Sequence, residues 1–199
     1  MTTTTRNHST DSVSPAVPQA PGRWLLNRWP TLVAIACAAL TFGGNQDDET
    51  VQGLAEFIIL LQLNYVVAAA LQRRRYAWAG LPISIAIAAA AELQNAVPSA
   101  SLLTALALGA LLLGFWRRHL RDSGSFRAQA LGMVGFAAVA ITAVVVDPGL
   151  ALYLTAAGWA AHGVWDFVHL WKDSVVARSF AEWCGVIDVL LAAELLLIR

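Results

Sequence analysis

Charged side chains are scarce in this sequence. Only 13% of its 199 residues are Asp, Glu, Lys or Arg, whereas 58% are hydrophobic, and the mean hydropathy is +0.60. Such a chain is too apolar for an ordinary soluble domain. The formal net charge is zero, so charge gives no reason to expect a nucleic-acid partner. The composition predicts an integral membrane protein, with the lipid bilayer as its first partner.

Lysine and cysteine are almost absent. The only lysine, Lys172, lies at the edge of an apolar segment, so the chain lacks the mid-membrane lysine that a retinal-type sensor needs for its Schiff base. Cys37 and Cys184 both lie inside apolar segments, where a cysteine usually packs as a small hydrophobic side chain. The two cysteines therefore do not predict a disulfide framework.

Long apolar runs fill the chain after residue 22. Residues 1–22 are rich in Thr, Ser and Pro, contain no apolar core of a signal peptide, and are expected to be a disordered tail. Residues 23–199 are predicted to be a seven-helix transmembrane domain, with short connections throughout. Its apolar segments are 31–44, 51–72, 76–97, 99–116, 128–146, 150–171 and 179–198. The predicted fold class is all-α, an integral membrane bundle of seven transmembrane helices.

Positive charge is distributed unevenly over the predicted loops. Cytoplasmic loops of membrane proteins are enriched in Lys and Arg. With the N-terminus in the cytoplasm, 12 of the 13 basic residues lie on that side, and only Arg199 does not. The opposite loops contain Asp47, Asp48, Glu49 and Asp147. This pattern predicts a cytoplasmic N-terminus, a C-terminus outside, and location in a cytoplasmic membrane.

The sixth apolar segment contains a stripe of polar and aromatic side chains. Trp159, His162, Asp166 and His169 follow one another at intervals of three, four and three residues, so they lie on one face of a helix. Asp188 lies near the middle of the next segment. Ionisable groups in hydrocarbon are costly, and an intramembrane one indicates a functional site.

The predicted topology assigns a depth to each buried polar residue. His162 and Asp188 share a level near mid-membrane, so they could meet across the last helix pair. Glu56 in the second span and Glu92 in the third are expected near the outer face. These positions predict a pocket between the second, third, sixth and seventh spans.

One interpretation of these groups is acid catalysis in an apolar pocket. A carboxyl group away from water can stay protonated near neutral pH and donate a proton; the candidates are Asp188, Asp166, Glu56 and Glu92. The aromatic faces of Trp159, Trp165 and Trp183 could stabilise a developing cation, with His162 and His169 shaping its path. Such a pocket would suit protonation of an alkene or epoxide of an isoprenoid chain, followed by cyclisation.

Three other interpretations remain open. The polar residues could simply bond neighbouring helices together, which is favoured for Glu182 and Glu194 near segment ends. His162, Asp166 and His169 could converge on a metal ion, although a single helix supplies at most these three ligands. A relay of Asp, Glu and His could also serve a proton-coupled transporter or a non-enzymatic lipid-binding protein.

Two short motifs resemble those of a known family. Glu56 in Gly-Leu-Ala-Glu-Phe-Ile-Ile, and Asp188 in Trp-Cys-Gly-Val-Ile-Asp-Val-Leu-Leu, are similar to the early and late acidic residues of small seven-span membrane terpene cyclases. This family includes meroterpenoid cyclases and bacterial relatives that act on farnesylated indole alkaloids. The resemblance implies a bacterial membrane enzyme with an isoprenoid substrate, and Glu56 and Asp188 as catalytic carboxylates. It also implies an upstream prenyltransferase in the pathway.

The sequence lacks the motifs of diphosphate-ionising enzymes. Asp47-Asp48-Glu49 stands alone in an outer loop, and no Asp-x-Asp-Asp run is present. A cyclase without such motifs is expected to protonate its substrate, in a reaction that needs no metal and no cofactor.

Overall fold

The regular structure of this protein is helical. The computed structural model describes residues 27–41, 43–44, 46–94, 99–117 and 124–197. Within these ranges no β-strand occurs, and the helices are α1 (Trp29–Thr41), α2 (Asp48–Leu71), α3 (Tyr76–Leu93), α4 (Ser99–Trp116), α5 (Gly124–Val145), α6 (Pro148–Lys172) and α7 (Arg178–Leu197). The predicted all-α class is confirmed. The tail predicted at residues 1–22 lies outside the described residues.

Short polar sequences set the helix boundaries. Asp147 caps α6, because its Oδ1 accepts the backbone N–H of Leu150 at 3.1 Å, and Pro148 begins the helix. Proline suits this position, since its missing N–H would have no helical partner there. At the other end of α6, Asp173 adopts a left-handed φ of 46° and its N–H bonds back to the last turn, which is a usual helix stop.

Helix α2 lies at the centre of the bundle and packs against α3, α4, α5 and α6. All nine residues from Ile58 to Val66 are buried, so this part of the helix is enclosed on every side. A helix that is apolar around its whole circumference is suited to such a position. The polar side chains in this run, Gln62, Asn64 and Tyr65, must therefore find partners inside the protein.

Helices α6 and α7 form a pair, and α1 covers the outside of α7. The contact between α1 and α7 includes Glu182, whose Oε1 accepts bonds from the Thr31 hydroxyl at 2.6 Å and from Arg28 at 3.3 Å. Glu182 therefore fastens two helices, which supports the structural role favoured for it.

Within the described ranges, three of the seven helices, α2, α3 and α5, are long and apolar enough to cross a membrane. The central α2 is mostly buried, whereas only 17% of the apolar window of α3 and 22% of that of α5 are buried. Large aliphatic side chains such as Ile83, Leu131 and Val134 are exposed on these two helices. Exposed apolar faces of this length indicate a membrane protein.

Candidate functional site

The polar stripe of α6 faces the interior. Trp159, His162, Asp166 and His169 are all buried, and His162 and Asp166 are fully enclosed. The predicted placement of these four residues on one buried helix face is confirmed. Asp188 on α7 is also fully enclosed. Three ionisable side chains therefore lie in the interior between the two helices.

Two glycines allow α6 and α7 to approach closely enough for these side chains to meet. A Cβ atom on Gly163 would lie 3.0 Å from Val189 and 3.3 Å from the Cβ of Asp188. A Cβ atom on Gly185 would lie 3.0 Å from the ring of Phe167 and 3.2 Å from the Cβ of Asp166. Small residues at a helix contact permit such an approach. Each glycine stands directly beside one of the two carboxylates.

One imidazole nitrogen joins the two carboxylates. His162 Nδ1 lies 2.8 Å from Asp188 Oδ2 and 3.3 Å from Asp166 Oδ2. The expected meeting of His162 and Asp188 across the helix pair is confirmed. Because both distances converge on Nδ1, this nitrogen can carry one proton that either carboxylate attracts. We call His162, Asp166 and Asp188 the acid cluster.

Tyr65 of α2 closes the far side of the acid cluster. Its hydroxyl donates a hydrogen bond to Asp166 Oδ1, and its ring packs edge-on against His162 with the centroids 5.8 Å apart. Tyr65 is completely buried. A continuous set of polar contacts therefore runs from Tyr65 through Asp166 and His162 to Asp188.

Several buried polar atoms of the acid cluster have no hydrogen-bond partner among the described residues. They are Asp188 Oδ1, Asp166 Oδ2 and His162 Nε2, although Asp166 Oδ2 stays within ion-pair distance of His162. Buried polar groups are usually satisfied, and exceptions often mark a functional site. Asp188 Oδ1 is the most informative of the three, because Asp188 also borders a cavity.

The cavity lies between α2, α3, α6 and α7, as predicted, and has a volume of about 370 Å³. Its wall is almost entirely apolar, with Leu54, Phe57 and Leu61 on α2 and Leu81 and Ile85 on α3. Trp159, Trp183 and Asp188 also line it. Ligand pockets are typically about 300–1,000 Å³, mostly apolar, with a few polar groups. Volume and lining fit an apolar ligand.

Asp188 is the member of the acid cluster that lines this cavity. His162 and Asp166 are absent from the lining and stand behind Asp188, within hydrogen-bond or ion-pair distance of one another. This separates two roles that the sequence left open. Asp188 can touch a ligand in the cavity, whereas Asp166 does not line it.

Trp165 and His169 belong to a second polar network instead of the cavity wall. His169 Nδ1 lies 2.7 Å from the carbonyl of Trp165, and its Nε2 lies 2.8 Å from Gln129 Nε2. A carbonyl only accepts, so Nδ1 carries the hydrogen and Nε2 accepts from the amide. Gln129 Oε1 in turn accepts the Trp165 indole N–H at 3.2 Å. Both residues bond α6 to α5, and their predicted contact with a substrate stays a prediction.

Glu56 also lies away from the cavity. Leu54, Phe57 and Leu61 face it from α2, and at 3.6 residues per turn Glu56 is rotated by about 200° from Leu54. It lines a separate hollow of about 140 Å³ between α2 and α5. Helix α2 thus turns Glu56 toward α5 and away from the cavity that Asp188 lines, and the predicted role of Glu56 as a second catalytic carboxylate stays a prediction.

Glu92 is likewise remote from the site. It is exposed in the last turn of α3, seven residues after the cavity residue Ile85, which corresponds to about 10 Å along a helix axis. The middle of α3 lines the cavity and its end does not, so the structure does not bring Glu92 to this cavity, and its predicted role in binding a substrate stays a prediction.

The acid cluster has the composition of a possible metal site. Ligand atoms of His162, Asp166 and Asp188 all lie within 4.8 Å of one another. The set differs from the one considered from sequence, in which His169 was the third ligand, because both nitrogens of His169 already have partners. Two carboxylates and one imidazole could hold a divalent ion.

Two residues in contact with the polar stripe of α6, Tyr65 and Gln129, were not predicted from the sequence. Tyr65 follows Gln62 by three residues inside an apolar run, so the two share a helix face, and this spacing was a usable signal. Gln129 stands near the start of an otherwise apolar segment, and nothing in its neighbourhood indicates that it bonds His169.

Compared with protein-family models, with curated proteins and with solved structures, the chain matches none.

Proposed function

We propose that this protein is a membrane-bound terpene cyclase, in which Asp188 starts cyclisation by protonating a prenylated, lipophilic substrate. The observation that carries the proposal is the position of Asp188, a fully buried carboxyl on the wall of an apolar cavity. Asp188 Oδ2 lies 2.8 Å from His162 Nδ1, whereas Oδ1 has no partner among the described residues.

The proposal includes a topology in which all seven helices cross the bilayer, the N-terminus is cytoplasmic and the C-terminus is outside. Helices α6 and α7 have 25 and 20 residues, and about 20 helical residues span the hydrocarbon core. Their ionisable side chains Asp166 and Asp188 are enclosed within the bundle, which lowers the cost of placing them at membrane depth. The basic loops supply the orientation.

The acid cluster supplies the proton. A buried cluster is least costly when its net charge is zero. With an imidazolium on His162 and one ionised carboxylate, the other carboxyl must be protonated for neutrality. Asp166 already accepts the Tyr65 hydroxyl and faces His162, and so suits the ionised form. The acidic proton then resides on Asp188.

The proposed reaction begins at Asp188 Oδ1. Its O–H bond breaks as the proton adds to one carbon of a substrate alkene, and the neighbouring carbon becomes a cation. A second alkene of the same chain attacks that cation, which forms the ring bond and moves the positive charge along the chain. Loss of a C–H proton to the Asp188 carboxylate gives a new alkene and regenerates the acid. The product is an isomer of the substrate.

The aromatic and aliphatic side chains of the cavity wall suit the carbocation that forms during cyclisation. Phe57 and Trp159 stack with their centroids 6.4 Å apart and both line the cavity, as does Trp183. Aromatic faces attract a cation, and the attraction is stronger where water is excluded. Leu61, Leu81 and Leu191 cover other parts of the wall and would keep water from the cation.

The substrate we favour is a farnesylated aromatic compound, made by an upstream prenyltransferase. An apolar chain matches the apolar wall of the cavity, whose volume is about 370 Å³. The proton comes from the protein, so the proposed reaction uses neither a metal nor another cofactor. A bacterial cytoplasmic membrane is the proposed location.

The decisive experiment is turnover by the purified protein in detergent or vesicles. A farnesylated phenol should give a cyclic isomer of unchanged mass. Asp188→Asn should lower the rate by about 100-fold or more, since positioned proton transfer contributes on the order of 10²–10⁴. Asp173→Asn is the matched control, because Asp173 is half-exposed and pairs with Arg74 at the surface. A wild-type rate in Asp188→Asn would rule out Asp188 as the acid.

The same preparation tests the competing function. A protein that only moves protons would give no cyclic isomer, and vesicles containing it would show a proton flux without a prenylated compound. That flux would disappear in Asp188→Asn. This result would replace the cyclase proposal by proton transport.

A further inference from the structure

Four tryptophans are at least partly buried, and they differ in whether the indole N–H has an acceptor. Trp159 Nε1 donates to the carbonyl of Leu54 at 3.0 Å, and Trp78 Nε1 donates to the hydroxyl of Ser179 at 3.0 Å. Trp165 Nε1 donates to Gln129 Oε1. Trp183 Nε1 is buried, yet it has no acceptor among the residues that the structure describes.

An unpaired indole N–H is costly in such surroundings. Buried tryptophans usually find an acceptor for this group, and leaving a buried donor unsatisfied costs about 1–3 kcal/mol. The ring of Trp183 packs against Trp78 and Phe180, with centroid distances of 5.8 Å and 6.4 Å. These contacts fix the ring, so the N–H cannot easily turn to another partner.

Trp183 and Asp188 line the same cavity from α7. Each contributes one buried polar atom that has no partner in the described part of the chain, Trp183 Nε1 and Asp188 Oδ1. The rest of the wall near them consists of aliphatic and aromatic side chains such as Ile187, Leu191 and Phe57. The cavity therefore combines a large apolar surface with a buried indole N–H and a buried carboxyl oxygen that have no partner among the described residues. The polar residues Gln46, Thr50 and Glu194 also line it.

We infer that the ligand of this cavity is an apolar chain that carries an oxygen or nitrogen acceptor, and that this acceptor receives the Trp183 N–H. This inference rests on the proposed function, because it specifies the class of substrate that the cyclase would bind. A pure hydrocarbon would leave the Trp183 N–H without an acceptor. Trp183 thereby selects and orients the ligand, while Asp188 remains free to donate its proton. Trp159 faces the same cavity but cannot do this, because Leu54 already occupies its N–H.

The test uses two saturated probes, farnesane and the methyl ether of hexahydrofarnesol. Both lack alkenes, so protonation cannot convert them and binding is measured without turnover. The ether accepts a hydrogen bond but donates none. Equilibrium binding of isotope-labelled probes to the purified protein should favour the ether by about 10-fold, the usual weight of one buried hydrogen bond.

Two variants isolate the indole N–H. Trp183→Phe should reduce the preference for the ether to about 3-fold or less and leave the binding of farnesane unchanged, because the aromatic surface is kept. In Trp159→Phe the preference should persist. Equal binding of both probes by the wild-type protein would overturn the inference. An undiminished preference for the ether in Trp183→Phe would also overturn it, because the ether oxygen would then accept its hydrogen bond from a group other than Trp183.

A spectroscopic measurement covers the case in which Trp183→Phe does not fold. In wild-type protein with isotope-labelled tryptophan, the indole N–H signal of one residue should move downfield with the ether and not with farnesane. If an ordered water already fills this position, no signal will move and the inference fails. Ether selectivity in a protein that yields no cyclic isomer would keep the inference and reject the cyclase proposal.

Discussion

His162 Nδ1 and Asp188 Oδ2 lie 2.8 Å apart, and this contact joins α6 to α7 inside the bundle. The same nitrogen faces Asp166 Oδ2 at 3.3 Å. An imidazole held between two carboxylates can stabilise negative charge on either one. The pair thus combines a structural link between two helices with a means of controlling the proton on Asp188.

Tyr65→Phe should weaken the acid cluster without changing the cavity. It removes the hydroxyl that donates to Asp166 Oδ1, and a buried carboxylate that loses a donor costs about 1–3 kcal/mol. Tyr65 is not part of the cavity lining, so we expect kcat to fall and KM to stay unchanged. Steady-state kinetics with the farnesylated phenol measures both.

The control for Tyr65 is Tyr76→Phe, at a tyrosine that is 43% exposed at the start of α3. Its kinetics should equal those of the wild-type protein. If Tyr65→Phe raised KM and left kcat unchanged, Tyr65 would contact the substrate and its assigned position behind Asp188 would be wrong.

Gly163→Ala and Gly185→Ala should each separate α6 from α7. The added Cβ atoms would stand 3.0–3.3 Å from neighbouring atoms, including backbone O of Gly185 and side-chain atoms of Phe167, and such overpacking typically costs about 1–3 kcal/mol. Unfolding in detergent should show the loss. Turnover per folded molecule should also fall, because Asp188 moves relative to His162.

Gly135→Ala supplies the matched comparison, since nothing lies within 4 Å of the Cβ it would add. Alanine favours helix over glycine by about 1 kcal/mol, so this variant should be as stable as the wild-type protein or more so. Equal destabilisation of all three variants would show that the α6–α7 contact is not special.

Chelation should leave the activity intact. A proton donor needs no metal, although His162, Asp166 and Asp188 could hold one. Turnover after treatment with a strong chelator should equal that of untreated protein, and metal analysis of the purified protein should find less than one ion per chain. Activity that is lost with the chelator and restored by a divalent ion would make the cluster a metal centre.

The proposed topology predicts where a reporter attached after Arg199 will be found. A reporter enzyme that works only outside the cytoplasm should be active when fused after Arg199. A reporter enzyme that works only in the cytoplasm should be inactive at the same position. Fusion after Arg75, between α2 and α3, should give the opposite pattern. The same reporter activity at both positions would contradict an odd number of membrane-spanning helices between Arg75 and the C-terminus.

The sequence determined the helical class and much of the site, because both depend on local periodicity. Apolar runs separated by short polar turns left little choice but helices. The spacing of Trp159, His162, Asp166 and His169 put them on one face, and any bundle would bury that face. The level shared by His162 and Asp188 followed from the short connection between their helices.

Only the tertiary structure decided which of these groups act together. The rotation of α2 about its own axis places Glu56 against α5 and Tyr65 against Asp166. The sequence of α2 alone does not predict this rotation, because it depends on packing against four neighbouring helices. Close approach at Gly163 and Gly185 placed Asp188 between His162 and the cavity. His169 lies on the same helix face as His162, yet its Nε2 accepts a hydrogen bond from Gln129 of α5. The packing of α5 against α6 determines this contact, and the sequence of α6 alone does not predict it.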